Sequence, residues 1–494
     1  MSEEISKQSF ILMLGRGICF LVNIITPLFL VRYFTTLEYG EYRQMILILT
    51  SFSALLPLGF INSIFYFFPN YPDQKGVFLT RTIIFLLLTT VIFIFVFVVY
   101  NKPITTFMKN EQMLNYYLPL ALTVTMFILS IIIETVLVVD NNVKLSTQIM
   151  TYTQILRMAI IIGCGIWGGV RYIVYGLLFL FTLKTIGSFI YFRFKYHISI
   201  FSAHIFKSYE HVRYSLLLGL GGIFTSLAEI VDKYIVSNML GLNVFAAYSV
   251  GCYELPFIAI VFGSIADIAL PKVVSLKQIN ANDEVTRLWH YTIESSMLIG
   301  IPMYVAFFIF ANQFITTLFT NNYVSAVPVF RIALFTVILE ATRYGMITRA
   351  YARTGFMFIV AIISLLLMIG CCYWGINHYG MVGAISAVIA SRFFMVTVEI
   401  IYTKFILSVD WRKLLPFSFI TKIFFLSLLS IIPPYIFTQC MPAINKWVIL
   451  FGILSLYIVT YAIITNIYKL WTPGQLPLPL KAKYVLGLIF PYKG

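Results

Sequence analysis

Apolar and polar positions along this chain alternate on a scale of tens of residues, not of two to four. Long apolar runs are separated by short polar breaks. A helix that crosses a bilayer needs about 20 mostly apolar residues. By that measure fourteen segments qualify: 10–34, 44–69, 77–100, 114–139, 146–167, 172–192, 215–238, 244–270, 289–311, 327–350, 356–376, 380–403, 415–437 and 446–467. The breaks are built from turn formers and charges, as in Tyr71-Pro72-Asp73, Asp140-Asn141-Asn142, Gly168-Gly169 and Gly241-Leu242-Asn243. The runs are too long and too uniformly apolar for the strands of a membrane barrel. The pattern predicts an all-α polytopic membrane protein with about 14 transmembrane helices.

Composition agrees. Of 494 residues, 60% are hydrophobic and only 11% charged, and the mean hydropathy is +0.93. Soluble domains carry about 25% charged residues, so a soluble enzyme, a disordered chain and a nucleic-acid-binding domain are excluded. Lys and Arg together number 34 against 19 acids, a formal net charge of +15. With the N-terminus inside, 20 of the basic residues fall in inner loops and tails and 7, Arg43 among them, in outer loops. That bias predicts cytoplasmic termini and contact with anionic membrane lipids. The remaining seven, Arg16, Arg157, Lys184, Lys233, Arg343, Arg392 and Lys422, lie inside the spans, where each costs a few kcal/mol.

The loops and ends carry less. The first ten residues are mixed in charge with no small-residue cleavage site, so the first span is expected to remain in the mature protein. Six cysteines show no metal-ligand spacing, so neither structural disulfides nor zinc are expected. His197, His204 and His211 recur every seven residues in the segment 193–214. On a helix they stand about 10 Å apart in rise, too far for one metal. The segment reads as an amphipathic interfacial linker between two six-helix halves. The Pro-rich basic tail after Leu470 is expected along the inner surface. An internal repeat is present: Val31–Tyr42 and Ser237–Tyr248 align at an offset of 206. Six spans separate the copies, which gives both halves the same orientation and a two-fold axis along the membrane normal.

The charges inside the spans are where chemistry is expected. Arg16 lies between Gly15 and Gly17. It either snorkels to the inner interface or presents a bare guanidinium suited to phosphate. Glu229 and Lys233 have the i,i+4 spacing of an ion pair, with Asp232 about 100° away. Two acids and one base on one apolar helix favour a polar cavity face over a self-neutralised pair. Glu340 and Arg343 are spaced to pair. Arg392 and Glu399 share a stripe but are too far apart to touch. Arg157, one turn after Gln154, marks a polar stripe on the fifth span. Glu134, Glu254 and Glu294 have no local partner; each is a site for a proton or cation, or a hydrogen-bond partner of a neighbouring helix. No Walker A motif or nucleophile–base arrangement occurs, and no outer loop reaches twenty residues. Short loops on rigid spans suit a carrier, not an enzyme such as a polymerase or ligase.

Several of these residues carry a family resemblance. Leu14-Gly15-Arg16-Gly17, the run Pro27 to Phe34, and Glu38-Tyr39-Gly40-Glu41-Tyr42-Arg43 resemble the opening of Wzx-type polysaccharide flippases. So do Asp232-Lys233-Tyr234-Ile235-Val236, Gly241 and Ala247-Tyr248-Ser249-Val250-Gly251. These flippases form the polysaccharide transport branch of the multidrug/oligosaccharidyl-lipid/polysaccharide exporter superfamily. The resemblance, which extends over the fourteen-span layout, implies two pseudo-symmetric six-helix lobes, residues 1–192 and 215–403. The linker 193–214 joins them, and 404–494 adds two helices and a cytoplasmic tail. It implies translocation of undecaprenyl-pyrophosphate-linked oligosaccharide across a bacterial inner membrane by alternating access, for O-antigen (lipopolysaccharide), capsule or exopolysaccharide synthesis. Arg16 matches the basic residue early in the family's first span, and Asp232 and Lys233 match its seventh-span acidic–basic pair.

On this reading Arg16, Arg157, Lys233, Arg343 and Arg392 bind substrate. Arg157, Arg343 and Arg392 are included for their membrane depth alone. Glu134, Glu229, Asp232, Glu254, Glu294 and Glu340 hold a coupling ion or line a polar cavity. No cofactor or metal is expected beyond H+ or Na+ as coupling ion. The expected partners are the lipid-linked glycan, membrane lipids, and a polymerase with other assembly proteins, and not nucleic acid. A cation-coupled multidrug exporter and a membrane-embedded polymerase or ligase are the alternatives. The drug-exporter branch often has an acid in its first span and stops at twelve spans; Arg16 and fourteen spans argue against it.

Overall fold

The computed structural model describes residues 2–198, 209–411, 414–440, 445–468 and 470, and for residues 2–16 the backbone alone. The tail after Leu470 and most of the linker, residues 199–208, lie outside the described residues. The chain begins with α1 (Ser2–Tyr33), α2 (Thr36–Leu55), α3 (Phe60–Asn70), α4 (Lys75–Val99), α5 (Asn101–Phe107), α6 (Tyr117–Val139), α7 (Val143–Tyr196) and α8 (Tyr209–Gly251). It continues with α9 (Pro256–Gln278), α10 (Asn282–Ile309), α11 (Ala311–Phe319), α12 (Val327–Ala333), α13 (Phe335–Ala341), α14 (Met346–Ala350) and α15 (Thr354–Leu407). The last helices are α16 (Phe417–Leu429), α17 (Ile432–Cys440) and α18 (Lys446–Ile467). The described residues contain no strand. By length and composition, nine of their helical stretches qualify as membrane spans, or ten if one bent pair counts as a single span. Two compact units divide the chain, Met1–Ser249 and Val250–Gly494.

The longest helices are hairpins. Straight, the 54 residues of α7 would reach about 81 Å at 1.5 Å per residue. Yet the Tyr196 hydroxyl at its last residue donates to Asp140, just before its first turn, at 2.8 Å. The reversal falls at Gly168 and Gly169, which leave helical φ/ψ, Gly169 at φ 73°. The 54-residue α15 reverses at Gly380 (φ 58°). There the Phe356 and Tyr402 rings stack at 3.8 Å, and Ser364 donates to the Ser391 carbonyl at 2.9 Å. α8 bends back at Gly241 (φ 77°), bringing the Tyr248 hydroxyl within 2.6 Å of Asp232.

Loops that the charge count assigns to one side meet one another. At one end Lys75 and Lys195 both reach the Asp140 carboxylate at 2.6 Å. At the other end Thr36 donates to Asn243 at 3.1 Å, Lys109 to the Met239 carbonyl at 2.8 Å, and Asn238 to the Phe107 carbonyl at 2.7 Å. In the second unit Tyr351 and Asn282 are joined at 2.9 Å, and Lys446 and Asn321 at 3.0 Å.

Asp140 ties three loops together and makes acid stability testable. Burial pushes its carboxyl up, but hydrogen bonds from Lys195, Lys75 and Tyr196 outweigh burial and hold it at about 2. A depressed carboxylate stabilises the fold above its unfolded value, and that stability drains away as pH falls through the folded one. Between about pH 4 and 2 the wild type should lose on the order of 1 kcal/mol that Asp140→Asn never had. Thermal melts across that window check it. Parallel pH profiles for the two proteins would remove Asp140 from the acid response.

The N-terminal half of α8 lies directly on the α2–α3 break. Leu58 and Gly59 take φ of 44° and 81° there. His211 is buried, with its Nε2 3.0 Å from Ser63 Oγ and the rings of Phe60, Phe67 and Phe78 around it at 5.2, 4.7 and 5.2 Å. Towards the other end the fully buried Gln44 donates to Ser237 at 2.6 Å and to the Met108 carbonyl at 2.7 Å. α8 therefore follows α2 and α3 from one side of the membrane to the other.

Candidate functional site

α1, α2 and α7 enclose a cavity of about 180 Å³ in the first unit, whose lining includes Asn23, Thr26, Tyr42, Arg43, Gln154 and Arg157. Its position follows from local sequence. Thr35 caps α2 by accepting from the Glu38 N–H, and Glu38 returns the bond to the Thr35 N–H, a complete capping box. Arg43 is thereby fixed two turns inside the helix, facing α7. Gln154 and Arg157 fall on one face of α7 at i,i+3, and Gln154 donates to Asn23 at 2.7 Å. The Arg157 Nε is buried without a hydrogen-bond partner. No carboxylate lines the cavity. Two guanidinium groups thus face a polar space that would hold about six waters at roughly 30 Å³ each. Guanidinium forks suit phosphate bidentately.

The other sequence-predicted residues are distributed as follows. The Arg16 side chain lies outside the described residues. Lys233 donates to the Glu229 backbone carbonyl at 2.8 Å, not to its carboxylate. Asp232 is buried and satisfied by Tyr248. Glu134, on α6, pairs with Lys184 of α7 at 2.6 Å. Glu340, on α13, pairs with Arg392 of α15 at 3.5 Å. Arg343 takes φ 54° between α13 and α14, with its guanidinium 5.9 Å from the Phe262 ring. Glu399 is buried and accepts from Thr348 at 2.8 Å. Glu254 is exposed in the break between α8 and α9, where sequence periodicity runs a helix through. Glu294 lies on α10 near His290. The carboxylates of Glu229, Glu254 and Glu294 make no hydrogen bond or ion pair among the described residues. No group of His, Cys, Asp and Glu among the described residues could hold a metal.

Sequence reasoning missed Arg43 by assigning it to an outer loop. The signal was the Thr35-x-x-Glu38 capping box, which starts the helix eight residues before the apolar run does.

Broken and hairpinned apolar helices with charges at depth make this a multi-pass membrane protein. Its fold is that of the multidrug/oligosaccharidyl-lipid/polysaccharide transporters. A lipid II flippase, MurJ, in an inward-closed conformation superposes with a TM-score of 0.73 at 16% identity, over 93% of this chain and 98% of that one. An inward-facing multidrug resistance MATE transporter gives 0.60 at 15%, over 81% and 94%. The Vibrio cholerae MATE transporter VcmN gives 0.53 at 11%, over 83% and 98%. At these identities the likeness is one of fold. Residues 29–328 match the polysaccharide biosynthesis protein family, and the chain belongs to that family. No curated protein matches it in sequence.

Proposed function

We propose that this protein is a flippase for undecaprenyl-pyrophosphate-linked oligosaccharide in a bacterial inner membrane, working by alternating access through fourteen crossings. The glycan serves O-antigen, capsule or exopolysaccharide assembly, and a polymerase takes it up on the outer face. The observation that carries the reading is the cavity where Arg157, with no counter-ion, stands beside Arg43. A family that handles polysaccharide precursors needs a place for their anionic linkage. An unpaired guanidinium at membrane depth is costly unless a ligand repays it. Arg16 and Lys233 are further cations assigned to the substrate by the family resemblance of their sequence motifs. A proton or Na+ returns the carrier through Glu254 or Glu294.

The MATE transporters sharing this fold support a second reading, cation-coupled drug export. Against it, cationic drugs need an acid, and the cavity has none. Proteoliposomes carrying a fluorescent lipid-linked oligosaccharide separate the two: the wild type should move the glycan lipid, and Arg16→Ala or Lys233→Ala should slow it. Intact transport in both variants removes these residues from the path. A deletion strain with normal surface polysaccharide and new drug sensitivity would favour the exporter.

A further inference from the structure

A cavity of about 580 Å³ lies in the second unit where three spans end. α10 begins there, α15 ends there and α16 begins there, and each belongs to a stretch apolar enough to cross a membrane. The cavity therefore stands at the boundary between bilayer and water. Its volume falls within the range of about 300–1,000 Å³ that small-molecule sites occupy.

One wall is a stripe of α10. Asp283, Thr286, Arg287 and His290 follow at i, i+3, i+4 and i+7, the spacing of one helix face. A face turned towards neighbouring helices is ordinarily apolar; this one is polar along two turns. The other wall is the connection from α15 to α16. Ser408 takes φ 56° at the end of α15, the chain leaves the helix, and Asp410 joins the lining. Asp283 and Arg287 have the acid-before-base i,i+4 order that favours an ion pair, yet they do not pair. The side chains of Asp283, Arg287 and Asp410 make no ion pair or hydrogen bond among the described residues. His290 Nε2 is buried without a hydrogen-bond partner. Beside the cavity, Trp411 and Phe417 are each more than half exposed, and Lys404 Nζ stands 4.6 Å from the centre of the Trp411 ring. Aromatic side chains at such a boundary sit at the level of the lipid headgroups.

We propose that this cavity seats the headgroup of phosphatidylethanolamine, whose phosphate and primary ammonium carry opposite charges a few bonds apart. An anionic headgroup would face two carboxylates, and a plain cation would face a guanidinium. A zwitterion meets both signs. Its phosphate takes the Arg287 fork and a hydrogen bond from His290 Nε2, in the tautomer protonated there. Its ammonium donates to Asp283 and Asp410, one from each wall. The source is a lipid and not a free headgroup because Phe417, which lines the cavity, is the first residue of an apolar span along which acyl chains continue. The bound lipid bridges α10 to the α15–α16 connection. This site goes beyond the flippase reading and does not depend on it.

Native mass spectrometry of the delipidated full-length protein, titrated with single lipids, tests the proposal. The wild type should bind phosphatidylethanolamine about two- to five-fold more tightly than phosphatidylglycerol, which keeps the phosphate and lacks the ammonium. That is the scale of an exposed charge contact. Asp283→Asn combined with Asp410→Asn should abolish the preference, and Asp283→Glu combined with Asp410→Glu should keep it. Arg287→Gln should weaken binding of both lipids. Free phosphoethanolamine at the same concentration should not displace the bound lipid. Equal affinities in the wild type, or a preference that survives loss of both carboxylates, overturns the proposal. Displacement by free phosphoethanolamine overturns it too, because the site would then take a soluble ligand.

Discussion

Arg157→Gln is expected to cut glycan-lipid translocation by about two orders of magnitude without loss of fold. The direction follows from burial. Arg157 Nε is shielded from water and lacks a hydrogen-bond partner, and no acid lines the cavity it shares with Arg43. When an anion fills that cavity, removing the guanidinium strips one side of a buried charge pair, at a cost of about 2–5 kcal/mol. Each 1.4 kcal/mol is a factor of ten. Without ligand the sign reverses. An uncompensated buried charge is a burden, so the neutral variant should melt at or above the wild-type temperature. Transport lost with stability kept is the signature of a binding residue. Transport and stability lost together would make Arg157 structural, and transport kept would empty the cavity of meaning. Arg43→Gln should act in the same direction, because Arg43 lines the same cavity.

The all-α, multi-span fold was legible because apolar run length is a local property. Partners were not. Glu134 has no companion within a turn, and its base is 50 residues away on a hairpin that must fold back first. Glu229 and Lys233 have the right spacing, yet the lysine takes the backbone carbonyl one turn back. Asp232 is answered by Tyr248 because Gly241 reverses the chain between them. Glu254 was placed inside a helix because apolar periodicity continues through Cys252–Leu255, where the backbone does not. The glycines that turn α7 and α8, Gly168-Gly169 and Gly241, stood in the sequence as breaks. What they bring together depends on tertiary packing, which periodicity does not carry.

Gly59→Ala should be the most damaging single-methyl change in the first unit. Gly59 sits at φ 81°, where an L side chain is strained by about 1–2 kcal/mol. Its new Cβ would overlap the Ser215 carbonyl oxygen and stand 2.6 Å from the Gly219 nitrogen and 3.0 Å from its Cα. All three are backbone atoms of α8, so no rotamer change relieves the clash, and overpacking adds about 1–3 kcal/mol. The only escape is for α8 to move off α3. That movement pulls His211 from Ser63 and opens its aromatic surround. Gly222→Ala is the matched control: three residues further along α8 a Cβ meets nothing within 4 Å, and Gly to Ala in a helix is favourable by up to about 1 kcal/mol. Melting in detergent should therefore fall for Gly59→Ala and hold or rise for Gly222→Ala. Equal melting temperatures would mean that α8 does not lie on the α2–α3 break. In that case the boundary that puts α8 with the first unit, at Ser249, would have lost its physical cause.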